Sequence, residues 1–447
     1  MADSDAGLSP SLSSSTKDTP YWWDDVRRIE IAETELPKSV DVAIIGSGYT
    51  GLNAALETAR GGRDTLVLDA EAAGWGCSTR NGGQISTSVK PSLDKLSHRF
   101  GRDRAKAIRG EGETALTWIE EFVKKEGIDC DFQRCGRFHA AHTPENYELL
   151  VRDSERLTKD EGIEAFAVPR EEQRRELGTD TYFGGVVYPR HASLHPAKYH
   201  RGLVECALGA GVRIVEDNRV LSVERDGAGF RLSTEKGELT ARNVIIATNG
   251  YIDGVSPWLR RRVIPIGSYI VATDELPKGM MDELFPTDRI ASDTCRVVYY
   301  YRASPDRKRI LFGGRVSARE TNPMVSGSRL LADLVQRFPE LTGVSVSHSW
   351  AGTVAYSFDE LAHTGERDGI HYALGYCGSG VSMASYLGMR VGQKVLGLKE
   401  GTTAFDNLPF PTRPLYNGTP WFLPAVVAYY RWQDQREQRE ALKVLRS

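Results

Sequence analysis

Residues 40–45 form a β-branched apolar run, which predicts a buried strand. Residues 51–60 carry helical spacing and stop at Gly61-Gly62, so a helix follows that strand. Residues 65–68 predict a second buried strand. From 90 to about 127 polar and apolar positions recur at helical spacing, and 145–160 and 170–176 predict further, charged helices. Residues 186–189 predict a short strand, 196–209 a helix and 212–215 a strand after it. The pattern then alternates: 220–225, 229–234 and 237–241 predict a three-strand meander, and 243–248 a buried strand. Residues 263–273, 296–302 and 309–314 predict a separate antiparallel sheet. Residues 330–337 predict a helix with Pro339 just beyond its end, 370–374 a buried strand, and 379–398 a helix. No internal repeat interrupts this order. A strand, Gly-rich loop and helix open the chain, a matching unit nearly closes it, and an antiparallel sheet lies between.

Composition narrows the function. The chain has 447 residues, room for two or three domains. A formal net charge of −3 gives no electrostatic reason to bind nucleic acid. Apolar runs such as 422–430 fall far short of the roughly 20 residues that cross a bilayer. Residues 1–20 are rich in Ser, Asp and Thr, lack the basic and apolar regions of a signal peptide, and read as a disordered leader, with order starting at Tyr21-Trp22-Trp23. The six cysteines form no CxxC pair and no zinc-type cluster, so no metal site is expected and reduced thiols in a cytoplasm are the simplest reading. The 44 glycines exceed ordinary usage and belong where backbone must approach something closely.

Gly46-Ser47-Gly48-Tyr49-Thr50-Gly51 is a GxGxxG that follows a strand and opens a helix. The first Gly allows the tight turn, the second lets backbone approach a pyrophosphate, and the third lets helix pack on strand, with phosphate at the helix N-terminus. The second strand ends at Asp69, 18 residues past Gly51, near the spacing at which an acid binds ribose hydroxyls. Together these define a dinucleotide site. The next segment, Gly74-Trp75-Gly76-Cys77-Ser78-Thr79-Arg80-Asn81-Gly82-Gly83-Gln84, is a long Gly-rich loop that a simple nicotinamide dehydrogenase does not need.

That loop closely resembles the GxGASGRNGGQ loop of the D-amino-acid oxidase family of flavoproteins, with Cys77 where Ala is usual and Thr79 where Gly is usual. Asn243-Val244-Ile245-Ile246-Ala247-Thr248-Asn249-Gly250 resembles that family's second FAD-contact strand, and Val220 its adenine-side contact. Gly375-Tyr376-Cys377-Gly378-Ser379-Gly380-Val381 resembles its C-terminal turn, which feeds a helix whose N-terminal dipole would face the flavin. The resemblance runs from about residue 21 to 433 and is nearest to the gamma-glutamylputrescine oxidase branch. Arg80-Asn81-Gly82-Gly83-Gln84-Ile85, His195-Pro196, Ile310-Leu311-Phe312-Gly313-Gly314 and Leu361-Ala362-His363-Thr364-Gly365 carry it, with the ending Pro409-Phe410-Pro411 … Ala428-Tyr429-Tyr430. It implies FAD held by Gly46, Ser47, Gly48, Tyr49, Thr50, Gly51, Asp69, Ala70, Gly76, Cys77, Ser78, Arg80, Asn81, Gly82, Gly83, Gln84, Val220, Ala247, Thr248, Asn249, Gly378, Ser379, Gly380 and Val381.

Departures shape the expected chemistry. Glycine-oxidase-like members hold a substrate α-carboxylate with an Arg in a TWxGxRP segment; here the segment is Ser349-Trp350-Ala351-Gly352-Thr353-Val354-Ala355, with Val354 at the Arg position. An apolar residue there favours an amine. No Cys lies between Cys295 and Cys377, where sarcosine-oxidase-like members attach flavin, so FAD is expected to be non-covalent, with Cys77 the residue that would overturn this. The implied reaction moves a hydride equivalent from a carbon bearing nitrogen to flavin N5, with imine hydrolysis and reoxidation by O2 to H2O2. A dry aromatic site would favour the neutral amine. Tyr269, Tyr299, Tyr301, Trp350 and Tyr356 are candidates for its walls, core packing being the competing role of each. Arg315, after Gly313-Gly314, is a candidate anchor for an anionic substrate tail, and His195 and His363 are candidate contacts.

The fold class is therefore α/β with an α+β second domain: a Rossmann-like FAD/NAD(P)-binding domain from 38–92, 195–263 and 348–405, and a discontinuous antiparallel-sheet substrate domain from 93–194 and 264–347. Residues 406–447 form a C-terminal helical extension. The expected partners are a small amine and O2, with no nucleic acid or membrane. The alternatives are an oxidase of N-methyl or primary amino acids or aminophosphonates, and a flavin dehydrogenase passing electrons to a protein.

Overall fold

The computed structural model describes residues 12–314 and 322–444. Two eight-stranded sheets organise it. In the first, strands Ser39–Ile45 and Thr65–Leu68 run parallel, joined by the helix Tyr49–Arg60, as the opening pattern predicted. Arg213–Val215 extends the sheet on one side, and Gly237–Ile246 and Ile370–Leu374 on the other, all parallel. The buried runs of Val, Ile and Leu on these strands suit a sheet covered on both faces. The predicted strands 237–241 and 243–248 are one strand, Gly237–Ile246. Its first half pairs antiparallel with Gly229–Thr234, while the strand as a whole runs parallel to Ser39–Ile45.

Helices Tyr49–Arg60 and Gly380–Val395 cross the sheet in close contact. Small residues set the distance: a Cβ at Gly388 would lie 2.3 Å from the Thr50 carbonyl oxygen, and one at Gly392 would lie 2.9 Å from that of Ala54.

The second sheet has the order Val346–Ser357, Val263–Thr273, Ile310–Gly314, Tyr299–Ala303, Ile290–Asp293, Arg137–Ala140, Gly185–Tyr188, Phe166–Val168. It was expected to be antiparallel, and one pair is not: Ile290–Asp293 runs parallel to Arg137–Ala140. That pair is the seam where two distant stretches of chain join, so no hairpin dictates its direction. The boundary expected at 348 also shifts. Strand Val346–Ser357 pairs with Val263–Thr273 along its length and belongs to this second sheet.

Other expectations shift at their edges. The helical stretch 90–127 is two helices, Leu93–Phe100 and Arg102–Glu126, split at Gly101 with φ +83°. Residues Arg170–Arg175 form a 3-10 helix, and the helix expected at 330–337 begins earlier, at Pro323 behind the Asn322 cap. Of the leader expected to be disordered through residue 20, residues 1–11 lie outside the described residues and residues 12–20 are ordered. Lys17 bridges to the edge strand at His348, with its N–H donating to Ser347 O at 2.9 Å, and Thr16 Oγ1 donates to Val346 O at 2.7 Å. Tyr21–Trp23 then pins the segment to the body: Trp22 is fully buried and its indole N–H donates to Asn81 O at 2.8 Å. The C-terminal helix Leu423–Val444 is held by Arg296, which bonds Asp434 at 3.0 Å and Glu437 at 2.8 Å. Among the described residues, no helix is long and apolar enough to cross a membrane.

Candidate active site

A cavity of about 1180 Å³ runs from the Gly-rich turn of the first sheet to the face of the second. At its nucleotide end, Gly46 sits at φ +104°, and a Cβ at Gly51 would come within 1.8 Å of Gly46 O. The helix Tyr49–Arg60 starts directly behind this turn, presenting its N-terminal N–H groups to the cavity. Asp69 closes the second strand beside it. Its carboxylate accepts from Ser47 N–H at 2.7 Å, Ser47 Oγ–H at 2.5 Å and Glu71 N–H at 3.1 Å, while burial pushes its pKa up. Ala70, Val220, Ala247, Thr248 and Asn249 line the same stretch. Thr248 Oγ1 is buried without a hydrogen-bond partner. A buried orphan hydroxyl and a turn stripped of side chains fit a bound dinucleotide. Ser47, Gly51 and Gly83 shape this wall from behind and are not on its surface.

The second Gly-rich loop continues the wall through Gly76, Cys77, Ser78, Arg80, Asn81, Gly82 and Gln84. Its glycines answer to packing. A Cβ at Gly83 would meet Leu194 O at 2.2 Å, and one at Gly82 would meet the Tyr300 ring at 3.0 Å. Arg80 braces the loop: its Nε–H donates to Trp75 O at 2.6 Å, and its guanidinium lies 5.0 and 4.7 Å from the Trp23 and Trp75 ring centres. The last wall segment is Gly378, Ser379, Gly380 and Val381, where helix Gly380–Val395 begins. His200 was missed in the sequence. Burial pushes its pKa down to about 4, so it is neutral, and its Nε2 lies 2.8 Å from Ser47 O, bracing the first turn. A lone His inside a helix gives no signal for that role.

The aromatic wall differs from expectation in which side chains form it. Trp350 is buried, with its indole N–H donating to Arg80 O at 2.8 Å; it supports the loop and does not reach the cavity. Tyr269, Tyr299 and Tyr301 lie in the core of the second sheet; Tyr301 Oη–H donates to Tyr182 Oη at 3.1 Å and Tyr299 Oη–H to Asp333 at 2.7 Å. His363 pairs with Asp359 at 2.9 Å and stacks on Phe410 with ring centres 3.8 Å apart, away from the cavity. His195 caps helix Pro196–Gly209, its Nδ1 accepting from Lys198 N–H at 3.2 Å. Arg315 lies outside the described residues. Strand alternation explains the corrections: side chains at 299 and 301 face one side, so Tyr300 faces the other. Tyr188, Tyr300 and Tyr356 are the tyrosines the second sheet presents to the cavity, with Ser268 bonded to Tyr300 Oη at 2.8 Å. Val354 is also on the wall.

Beyond Tyr300 the same sheet face carries Ser292, His139 and Arg137. His139 Nδ1 is 2.9 Å from Ser292 Oγ. Burial, with Arg137 adding its charge, pushes His139 down to about 4 and His191 well below its ordinary value, so both rings are neutral. Burial also lowers Arg137 to about 10, leaving it charged at neutral pH.

The chain belongs to the family of FAD-dependent oxidoreductases described as "DAO: FAD dependent oxidoreductase", which residues 41–394 match. It is 30% identical over 400 residues to the gamma-glutamylputrescine oxidoreductase of Escherichia coli, covering 88% of this chain and 93% of that one. It is 32% identical over 379 residues to the probable oxidoreductase OrdL of Rhizobium meliloti, covering 84% and 88%. In fold it is similar to the glycine oxidase of Geobacillus kaustophilus, with a TM-score of 0.70 at 19% identity over 85% of this chain and 99% of that one.

Proposed function

We propose that this chain oxidises a C–N bond of a small amine with FAD held non-covalently, and with O2 as the final acceptor. The observation that carries this reading is the wall at Val354, Tyr356 and Tyr300, apolar and aromatic where the second sheet meets the flavin loop. Bound FAD supplies a hydride acceptor in that space. The chain supplies the surroundings. Its buried walls disfavour an ammonium, so the amine enters neutral and needs no strong base. Tyr300 presses against Gly82 and Gly313, fixing the distance between loop and sheet. The start of helix Gly380–Val395 aims partial positive charge into the cavity, where it would stabilise negative charge on a bound group. Similarity to the E. coli gamma-glutamylputrescine oxidoreductase supports an amine as donor.

The test is to mix the purified yellow protein anaerobically with amines, amino acids and aminophosphonates and follow flavin bleaching, then admit air and measure peroxide. Amines are expected to bleach it fastest. Fastest bleaching by glycine or a D-amino acid would sink the reading of Val354. Flavin that stays with acid-precipitated protein would sink the non-covalent attachment.

One observation favours a second reading, electron transfer to a protein partner. Trp421, Tyr429 and Trp432 are 64%, 53% and 50% exposed along the C-terminal segment, an aromatic surface such a partner would cover. Slow peroxide release after fast bleaching would select it.

A further inference from the structure

Among the described residues, Arg137 is a charge without a counter-charge. Three other arginines of the cavity wall face carboxylates: Arg109 faces Glu161, Arg156 faces Asp94 at 2.8 Å, and Arg219 faces Asp253. Arg137 makes no ion pair with the described residues; its protein hydrogen bond is Nη2–H to Gln84 Oε1 at 3.4 Å, and its Nε–H is buried without an acceptor. Gln84 is held in turn, its amide donating to Tyr301 O at 3.0 Å, so the guanidinium is steered by the end of the flavin loop. A second orphan stands nearby. His191 Nε2 lies 3.2 Å from Thr87 Oγ1 and 3.4 Å from Thr87 N, so Thr87 occupies that side of the neutral ring. Its Nδ1 is buried without a partner among the described residues. Native proteins rarely leave buried polar atoms unpaired unless something else pairs them, and a guanidinium fits a planar anion.

We propose that Arg137, with His191 beside it, seats a carboxylate carried by the substrate at a distance from the reacting nitrogen. This rests on the amine-oxidase reading for the position of the nitrogen. Tyr300, Ser292 and His139 sit opposite one another on neighbouring strands, and Arg137 lies two residues further along the His139 strand. Strand spacing puts Tyr300 and His139 about 10 Å apart. An amine held against Tyr300 therefore reaches Arg137 only through a chain of several carbons. The substrates are ω-amino acids or amides of similar reach. The α-amino acids, whose carboxylate sits on the reacting carbon, are too short, which agrees with Val354 in place of an arginine at the other edge of the sheet.

The holoenzyme tests this with a matched pair, 6-aminohexanoate and hexylamine, and with glutarate as a non-oxidisable probe. In anaerobic flavin reduction, 6-aminohexanoate is expected to bind at least 30-fold more tightly than hexylamine. Arg137→Met is expected to weaken 6-aminohexanoate by 30- to 100-fold and leave hexylamine and FAD content unchanged; Arg137→Lys, which keeps the charge and loses the fork, is expected to fall between. Equal losses for both amines, or a wild type that does not distinguish them, would overturn the proposal. If neither amine bleaches the flavin, the amine reading fails, and glutarate decides the seat by its shift of the flavin spectrum. A shift lost in Arg137→Met keeps the carboxylate seat; a shift equal in both proteins, or none in either, removes it.

Discussion

At the scale of single residues, steric and electrostatic demands separate cleanly. A methyl group at Gly51 would need the Gly46 carbonyl to move, since 1.8 Å is far inside contact distance. Gly51→Ala is expected to purify with little or no flavin and to lose about 3 kcal/mol or more of stability, read by the flavin absorbance ratio and by denaturant unfolding. Tyr301→Phe removes a hydroxyl bonded only within the core, to Tyr182. It is expected to cost about 1 kcal/mol of stability and leave flavin reduction unchanged. Tyr300→Ala is expected to slow reduction roughly tenfold or more by loosening the wall. The Gly-rich turn and Asp69 were legible in the sequence because that chemistry admits few residue types. The aromatic wall was not: Tyr299, Tyr300 and Tyr301 are identical in type, and only the register of the strand decides which one faces the cavity. Arg137 was also invisible, because what marks it is the lack of a counter-charge in space among the described residues.

At the scale of elements, the pairing of helices Tyr49–Arg60 and Gly380–Val395 couples the two ends of the site. Gly388→Ala would press on the Thr50 carbonyl at 2.3 Å and separate them. The expected result is reduced FAD retention without loss of the sheet, measured by flavin release on mild heating and by circular dichroism. The C-terminal helix depends on charge. Its Glu437 is bonded by Arg296, which lowers the carboxyl pKa below its ordinary value, with Asp434 and His142 facing the same cluster. A depressed carboxylate stabilises above its unfolded pKa, and this contribution fades as pH falls through the lower folded value. Acid below about pH 4 is therefore expected to loosen this helix first, and Arg296→Gln to shift that loosening to higher pH, read by limited proteolysis across a pH series. Strands and helices with strong periodicity were legible in the sequence. The parallel seam at Ile290–Asp293 and Arg137–Ala140 was not, because no local signal specifies a partner about 150 residues away.

At the scale of the whole molecule, Arg137 is a half-buried cation with no counter-charge among the described residues, a burden on the folded state that its removal relieves. Arg137→Met is thus expected to raise the melting temperature of the holoenzyme while weakening carboxylate binding, an exchange of stability for recognition. A purely supporting arginine would give the opposite sign. The overall architecture carries a consequence in time. The central strand Ser39–Ile45 leaves the ribosome early, yet its parallel neighbour Gly237–Ile246 follows about 200 residues later, and Ile370–Leu374 closes the sheet later still. At about 5–20 residues per second, the nascent chain waits at least ten seconds with an apolar strand edge uncovered. This makes the period of synthesis, more than the finished fold, the window in which a chaperone matters to this enzyme.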